Sequence, residues 1–331
     1  MKIGAVLALI AGLALAIFLV MNIGIGQVLA AASQVGWGGF VLICLAGFTV
    51  TACLGTAWYC LISGYGARWI VLVMGRQLRD SSSDLLPFTQ LGGMVIGARA
   101  AVLGRVAAPL AYASMMVDVT TELIGQIAFI LLGLMLGLSE LRASAELAPY
   151  ANGMILGTAL LIPAAAAFVI LQRKGTHLAE KLAGKLLPAA VQHTEAFSLA
   201  LRALYANPVR VALSTTFHLL SWLVSGLWIW MIFRMMGAPL DIFAALTIEA
   251  LLGALRSATV FIPAAIGVQE AGYAALAPVF GVGPEIGLAV SLLKRARDVA
   301  VGVPVLLLWQ MVEGHRAFGR GKEPENGTMA P

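Results

Sequence analysis

Charged side chains interrupt two of the most apolar segments of the chain. Asp118 and Glu122 lie one helical turn apart in the middle of one apolar stretch. The other stretch is interrupted by a short charged run, which contains Lys294, Arg295, Arg297 and Asp298. A charge at membrane depth costs several kcal/mol unless it is paired or hydrated, so such charges are candidates for function. Residues of both signs could bind the polar part of an amphipathic molecule.

A proline–glycine break carries a second set of polar residues. The break runs from Pro263 to Gly267, and Glu249 lies on the apolar arm before it. Directly after the break come Gln269, Glu270 and Tyr273. A carboxylate exposed at a helix break could hold a cationic head group or a proton. The alternative for Glu270 is a cap on the helix that follows, because acidic side chains favour helix N-termini.

An equivalent break near residue 87 is basic rather than acidic. Pro87 is followed by Gln90 and by the glycine pair Gly92 and Gly93, and the arm beyond carries Arg99 and Arg105. Guanidinium groups match phosphate geometry, so this element could attract a phosphate. The alternative is that these arginines only anchor the inner face of the membrane.

Little in the chain predicts an enzyme or a metal site. The four histidines show no metal-binding spacing, and His218 is interpreted as a packed or hydrogen-bonded side chain. Nucleophile-elbow and phosphate-loop motifs are missing. Cys44, Cys53 and Cys60 share one apolar run, which predicts buried packing. We expect no cofactor and no metal.

The composition predicts a polytopic helical membrane protein. The 331 residues are 60% hydrophobic and 11% charged, with a mean hydropathy of +0.94. Backbone polar groups in lipid need internal partners, which leaves helices or a closed barrel, and the absence of strict alternation favours helices. The net charge of +5 is attributed to membrane topology rather than to nucleic-acid binding.

The apolar segments predict an all-α fold with six spanning helices and two re-entrant hairpins. The predicted spans are 3–21, 36–62, 107–138, 150–171, 209–236 and 286–312. The first of these has a signal peptide as its alternative. The regions 66–104 and 241–282 are too long and too broken for single spans, so each is predicted to return to its own side.

The distribution of basic residues predicts that both termini are cytoplasmic. With that orientation, fifteen of the 21 Lys and Arg lie on the inner side, three lie outside and three lie within the last span. The chain then divides into a first half, 1–172, and a second half, 209–312. Between them, 173–208 is a cytoplasmic linker, either amphipathic on the membrane surface or solvated, and 313–331 is a disordered tail.

The two halves are predicted to be copies of each other. A shift of 176–177 residues places Pro87 on Pro263, and it superposes several further glycines and serines. Three spans separate the hairpins, so they enter from opposite faces and the repeat is inverted. The same shift places Asp118 on Arg295, which suggests that they face each other as a gate or head-group clamp. The alternative is purely structural burial, with Lys294 and Asp298 paired along their own helix.

With these motifs, the chain resembles the transmembrane domain of lysylphosphatidylglycerol synthase/flippase proteins. The resemblance spans nearly the whole chain, and its most specific segments are Pro263 to Ala271, Leu86-Pro87 with Gly92-Gly93 and Arg99, and Ser291 to Arg295. The segments Val35 to Gly39 and Ala57-Trp58 are similar to a branch associated with hopanoid biosynthesis.

The resemblance implies lipid translocation in a bacterial inner membrane, with the re-entrant elements along the lipid path. Family members that make lysyl-lipid carry a soluble aminoacyltransferase domain, and that activity is not expected of this chain. Where the family often has Pro-Gly at the second break, this chain has Pro263-Ala264.

The predicted function is a flippase-like carrier for a hopanoid or for an anionic or aminoacylated phospholipid. Such a carrier is compatible with ion coupling and with partners from lipid biosynthesis, and nucleic acid is not an expected partner. One alternative is a membrane enzyme that uses Glu270 and Asp298 as acid and base. Another is a scaffold of a lipid-synthesis complex.

Overall fold

The described structure is made of helices and the short turns that connect them. The computed structural model describes residues 25–86, 90–143, 191–259 and 262–319, with short helical pieces between 152 and 170, and it contains no strand within these ranges. The all-α prediction is confirmed.

Ten helices have defined bounds in the part of the chain that the structure describes. In chain order they are α1 (Ile25–Ser33), α2 (Gly36–Ile62), α3 (Trp69–Leu85), α4 (Gln90–Leu103), α5 (Ala108–Ala143), α6 (Val191–Tyr205), α7 (Pro208–Met235), α8 (Ile242–Ala258), α9 (Val268–Leu276) and α10 (Pro284–Gly319). Single 3₁₀ turns lie at Ser63–Tyr65, Pro263–Ala265 and Ala277–Phe280.

Local sequence explains where two of these helices begin. The side chain of Asn207 accepts a hydrogen bond from the Arg210 amide, and Pro208 occupies the first position of α7. Asp241 caps α8 by accepting from the amides of Phe243 and Ala244. Short polar side chains satisfy amides that have no partner within the helix, and proline at the first position removes one of them.

Within the described residues, three helices are long and apolar enough to cross a bilayer. They are Gly36–Tyr65, Ala108–Ser139 and Pro208–Met235, which confirms three predicted spans. The predicted span 286–312 lies inside α10, which continues to Gly319, so residues 313–319 are helical rather than disordered as predicted. The predicted spans 3–21 and most of 150–171 lie outside the described residues.

The first predicted hairpin folds back on itself. Helices α3 and α4 are antiparallel, because Gly97 lies against Gly75 while Gly93 lies against Ser83. Arms of 17 and 14 residues measure about 26 and 21 Å at 1.5 Å per residue, which is short of the ~30 Å hydrocarbon thickness. Residues 87–89, including Pro87, lie outside the described residues.

The second hairpin turns through a left-handed segment. Ala264 and Ala265 have φ values of 53° and 48°, and Gly267 has a φ of 80°. Helix α9 then packs back against α8 at Gly272, which lies close to Leu252. A side chain with a Cβ costs roughly 1–2 kcal/mol in the left-handed region, so alanine at position 264 is a strained choice where glycine would be relaxed.

The helices of the two halves repeat in order and in length. Helices α2 and α7 have 27 and 28 residues, α3 and α8 both have 17, and α5 and α10 both have 36. Helix α4, with 14 residues, corresponds to the nine of α9 and the four of the turn that follows. This agreement supports the repeat at the level of whole elements.

Contacts between the halves follow a twofold pattern. Helix α5 packs against α8, its counterpart α10 packs against α3, and α2 packs against α7. The pair α2 and α7 is antiparallel, because Gly39 lies near Met235 and Gly64 lies near Arg210. Equivalent helices that run antiparallel are related by an axis perpendicular to them. The inverted hand of the repeat agrees with the sequence prediction.

Close packing and a surface helix complete the fold. Gly133 and Gly137 of α5 let the α8 residues Ala250 and Thr247 approach closely, as small residues do between membrane helices. Helix α6, from the predicted linker, packs against α5 through a buried leucine pair, Leu201 and Leu204. This part of the linker therefore packs onto the helical body.

Candidate functional site

A buried ion network joins the first hairpin to the long helix of its own half. Arg76 and Arg79 of α3 both contact Asp118 and Glu122 of α5. The shortest distances are 2.6 Å from Arg76 Nη2 to Glu122 Oε1 and 2.8 Å from Arg79 Nη2 to Glu122 Oε2. Pairs of this kind are charge-assisted and geometrically specific. We call this set, with His218, the first network.

His218 of α7 completes the first network through a contact with the Asp118 carboxylate. Its Nε2 lies 3.0 Å from Asp118 Oδ1, while Arg79 Nη1 lies 3.0 Å from Asp118 Oδ2. Asp118 and His218 are both fully buried, at 0% exposure. The interpretation of His218 as a hydrogen-bonded side chain is in agreement with this contact. Asp118 therefore ties three helices together.

The proposed clamp between Asp118 and Arg295 is wrong. Asp118 is held by the two arginines and the histidine of the first network, whereas Arg295 Nε lies 3.0 Å from Glu270 Oε1. The equivalent positions in the two halves are both charged, but each is paired within its own surroundings. The repeat in the sequence correctly predicts a charge at both equivalent positions, but it does not predict the partner of either charge.

A second buried network joins α8, α9 and α10. Glu249 accepts hydrogen bonds from Tyr273 Oη at 2.7 Å and from Ser225 Oγ at 2.8 Å. Lys294 Nζ lies 3.1 Å from the same carboxylate and donates to Tyr273 Oη at 2.9 Å. Lys294 does not pair with Asp298 along its own helix, as the alternative had it, because Asp298 contacts Arg297 at 3.2 Å.

Glu270 is a helix cap that also carries an ion pair. Its Oε2 accepts a hydrogen bond from the Gly267 amide at 2.7 Å. Its Oε1 accepts one from Ser291 Oγ at 3.3 Å and one from Arg295 Nε at 3.0 Å. Gln269 donates to the same Ser291 hydroxyl at 3.1 Å. The capping alternative is what the structure shows, and the break at Pro263 to Gly267 is fastened to α10.

The two networks have opposite polarity. In the first half, the hairpin arm supplies the arginines and the long helix supplies the carboxylates. In the second half, the hairpin supplies Glu249 and Glu270, while the long helix supplies Lys294 and Arg295. Each hairpin is thus locked to the long helix of its own half by charges of reversed sign.

A set of six charged side chains stays partly exposed, and two of them, Glu122 and Arg295, also belong to the networks. Asp80 is 31% exposed, Asp298 and Arg295 are each 22% exposed and Glu122 is 19% exposed. Asp84 and Arg256 are also partly exposed, and Asp84 lies within electrostatic range of Asp298, Arg256 and Arg295. We call these six residues the central charged group.

Packing of α10 on α3 explains how this group assembles. Gly302, one turn beyond Asp298, lies against Ser81 and Leu85 of α3, on either side of Asp84. The turn at Pro263–Ala265 also contacts α3. The end of α3 therefore meets α10 one helical turn beyond Asp298.

The structure separates the predicted site residues into three sets. Glu122, Arg295 and Asp298 belong to the central charged group, whereas Asp118, Glu249, Gln269, Glu270, Tyr273 and Lys294 are buried within the networks. Gly92 and Gly93 lie near the start of α4, and the Gln90 side chain lies outside the described residues. Arg99 is elsewhere, paired with Glu313 at 3.0 Å.

Sequence reasoning missed several of the charges that matter here. Arg76 and Arg79 belong to the basic residues predicted on the inner side, and the structure buries both side chains, with 3% and 4% exposure. Asp80, Asp84 and Arg256 are not among the site residues predicted from the sequence. The available signal was the spacing of Arg76, Arg79 and Asp80, which puts three charges on one helical face, as at Asp118 and Glu122.

Metal-ligand geometry gives no candidate in the described part of the chain, where no three His, Cys, Asp or Glu side chains converge. The three cysteines are free and partly buried. The charges of the central charged group can make ionic and hydrogen-bonding contacts with polar groups.

Comparison with known proteins identifies the family. The family model of the lysylphosphatidylglycerol synthase TM region matches residues 4–305. Searches of curated proteins and of solved structures give no match. The match covers both hairpins, both networks and all six residues of the central charged group. The chain belongs to the family of the lysylphosphatidylglycerol synthase transmembrane region, and it is a membrane protein linked to lipid handling.

Proposed function

We propose that the protein moves a lipid with a charged head group between the leaflets of a bacterial inner membrane. The observation that carries this proposal is the central charged group, which keeps partly exposed charges deep in an apolar chain. Such charges are costly in lipid unless water or a ligand reaches them. An inverted repeat with a polar site between its halves is the arrangement that alternating access uses.

The central charged group contains both acidic and basic side chains, which favours a head group that carries both signs of charge. Asp80, Asp84 and Asp298 are acidic, while Arg256 and Arg295 are basic. A head group with both a phosphate and an ammonium finds partners of both kinds here, because arginine binds phosphate and carboxylates bind amines. An aminoacylated phospholipid fits this mixture better than a hopanoid, which offers mainly apolar and hydroxyl surface.

The buried networks have a different task in this proposal. They hold each hairpin on the long helix of its own half, and His218 also ties the first network to α7 of the other half. Ion coupling is assigned to the central charged group, whose carboxylates stay accessible to cations. The orientation with cytoplasmic termini belongs to the same proposal.

An embedded lipid-modifying enzyme is a weaker candidate. It would use Glu270 and Asp298 as acid and base, but Glu270 is engaged by the Gly267 amide and by Arg295. A carboxylate held as an acceptor on both oxygens is poorly placed to transfer protons. A scaffold has no need for the partly exposed charges.

Reconstitution into liposomes tests the proposal. Fluorescent phospholipids with anionic, aminoacylated and zwitterionic head groups are added to one leaflet, and their exchange is followed with a membrane-impermeant quencher. We expect Asp298→Asn to slow exchange about tenfold or more, since removing one partner of a partly buried charge pair costs several kcal/mol. Lipid masses should be unaltered.

Asp241→Asn is the matched control. It also replaces one carboxylate by an amide, but at an exposed helix cap where asparagine caps equally well. Exchange by this variant should equal that of the parent chain. Equal exchange by the parent and Asp298→Asn would refute the proposal, and a new lipid mass would favour the enzyme.

A further inference from the structure

An apolar cavity of about 350 Å³ lies between α3, α4 and α10. Its walls include Val71 and Met74 of α3, Leu103 of α4, and Val305 and Trp309 of α10. Every side chain that lines it is apolar or aromatic, apart from glycine. The volume is at the lower end of the range for small-molecule pockets, about 300–1,000 Å³.

An ion pair connects two walls of this cavity. Arg99 of α4 lies 3.0 Å from Glu313 of α10, through Nε and Oε1. The two side chains are 41% and 30% exposed, unlike the buried pairs of the two networks. An exposed pair of this kind contributes little to stability, about 0–1 kcal/mol in the usual case. The Arg99–Glu313 pair therefore contributes little to holding α4 and α10 together.

Further positive charge lies at the same end of the hairpin. Arg105 is exposed and directly follows Gly104, which lines the cavity. Arg68 is exposed and lies two residues before Ile70, which also lines it. Three arginines therefore lie on or next to the two arms that line this apolar space, and one of them, Arg99, is paired with Glu313.

We propose that this cavity holds one acyl chain of an anionic phospholipid, with the lipid phosphate at Arg99 in place of Glu313. The apolar walls fit a hydrocarbon chain, and the guanidinium groups fit a phosphate. Glu313 acts as an internal competitor that occupies Arg99 when lipid is absent. The proposal rests on the proposed function, because it names the place where the lipid is held beside the first hairpin before it reaches the central charged group.

The competitor role makes a prediction that a structural role does not. Arg99→Gln and Glu313→Gln break the same ion pair, so their effects on folding are matched. Loss of Arg99 removes the phosphate partner, whereas loss of Glu313 frees it. Binding of anionic lipid should therefore change in opposite directions in the two variants.

Native mass spectrometry of the full chain in detergent measures this binding. Phosphatidylglycerol and phosphatidylcholine are titrated separately, and size-exclusion profiles confirm that each variant is folded. We expect Arg99→Gln to weaken phosphatidylglycerol binding about fivefold and Glu313→Gln to tighten it about fivefold, the scale of one exposed charge interaction. Arg99→Lys, which keeps the charge, should lose less than Arg99→Gln.

A second variant tests the cavity itself. Ala100→Phe places a ring in the space that the acyl chain would fill, so it should weaken binding of both lipids. Leu45→Phe makes a similar change on an exposed face of α2 and should leave binding unaltered.

Several outcomes would overturn the proposal. They are changes of the same sign in Arg99→Gln and Glu313→Gln, equal affinity for the two phospholipids, or competition by oleate as strong as by phosphatidylglycerol. Binding in detergent needs no leaflet exchange. A failure here is therefore distinct from a failure of the transport assay.

Discussion

Replacing Asp118 by leucine should destabilise the protein strongly. Asp118 is fully buried and accepts contacts from Arg79 and His218 at 3.0 Å and from Arg76 at 3.4 Å. Leucine has a similar size but no acceptor, so Arg79 and His218 lose a partner that water cannot replace. Removing one partner of a buried ion pair costs about 3–5 kcal/mol, and we expect a loss of this size.

The free energy of unfolding can be measured in mixed micelles by titration with a denaturing detergent, followed by tryptophan fluorescence. Glu313→Gln is the control, because it removes a carboxylate from an ion pair that is 41% and 30% exposed. That variant should lose less than about 1 kcal/mol.

The double variant Asp118→Leu with Arg79→Leu gives the sharper result. Replacing both partners by apolar residues removes the stranded charge, so the double variant should lose less than the sum of the single losses. A coupling of about 1–3 kcal/mol is expected for residues in contact. Strictly additive losses, or a single loss no larger than that of Glu313→Gln, would refute the view that Asp118 holds α3, α5 and α7 together.

Three further predictions concern the second half and the hairpins. Ala264→Gly should raise the free energy of unfolding by about 0.5 kcal/mol, because relief of a φ of 53° outweighs the added freedom of the unfolded chain, whereas glycine within α8 should lower it. Lys294→Met should lower that free energy by about 3 kcal/mol by stranding Glu249, and adding Glu249→Gln should restore part of the loss; no recovery would contradict the pairing. With the native cysteines replaced, Tyr65→Cys and Arg105→Cys should react with an impermeant thiol reagent from one side of the membrane, and labelling from opposite sides would exclude a returning hairpin.

Much of the fold could be predicted from sequence because its signals are local. Apolar length determines the spans, and the breaks at Pro87 and Pro263 determine the hairpins. The constant shift between them revealed the repeat, and counting crossings gave its inverted hand. These properties depend on which residues follow one another and not on how distant helices pack.

The partners of the buried charges could not be predicted in the same way. Asp118 and Arg295 are equivalent in the repeat, but pairing depends on which helix lies opposite, and that is decided by packing at glycines such as Gly125 and Gly302. Arg76 and Arg79 enter the sequence prediction only as inner-side basic residues, because a count of charges carries no information on burial. The cap at Glu270 was foreseen as an alternative, since capping needs only three residues of neighbouring sequence.

The reciprocal packing of the halves has a consequence for biosynthesis. During translation α5 leaves the ribosome before α8 and meets it while later segments are still being made. The face of α3 that receives Gly302 has to wait for α10, the last helix described. Two interfaces that are equivalent in the finished protein are thus completed at different times. Until α10 is inserted, the first hairpin lacks this partner and has its contacts with α2, with α5 and with the turn at Pro263–Ala265.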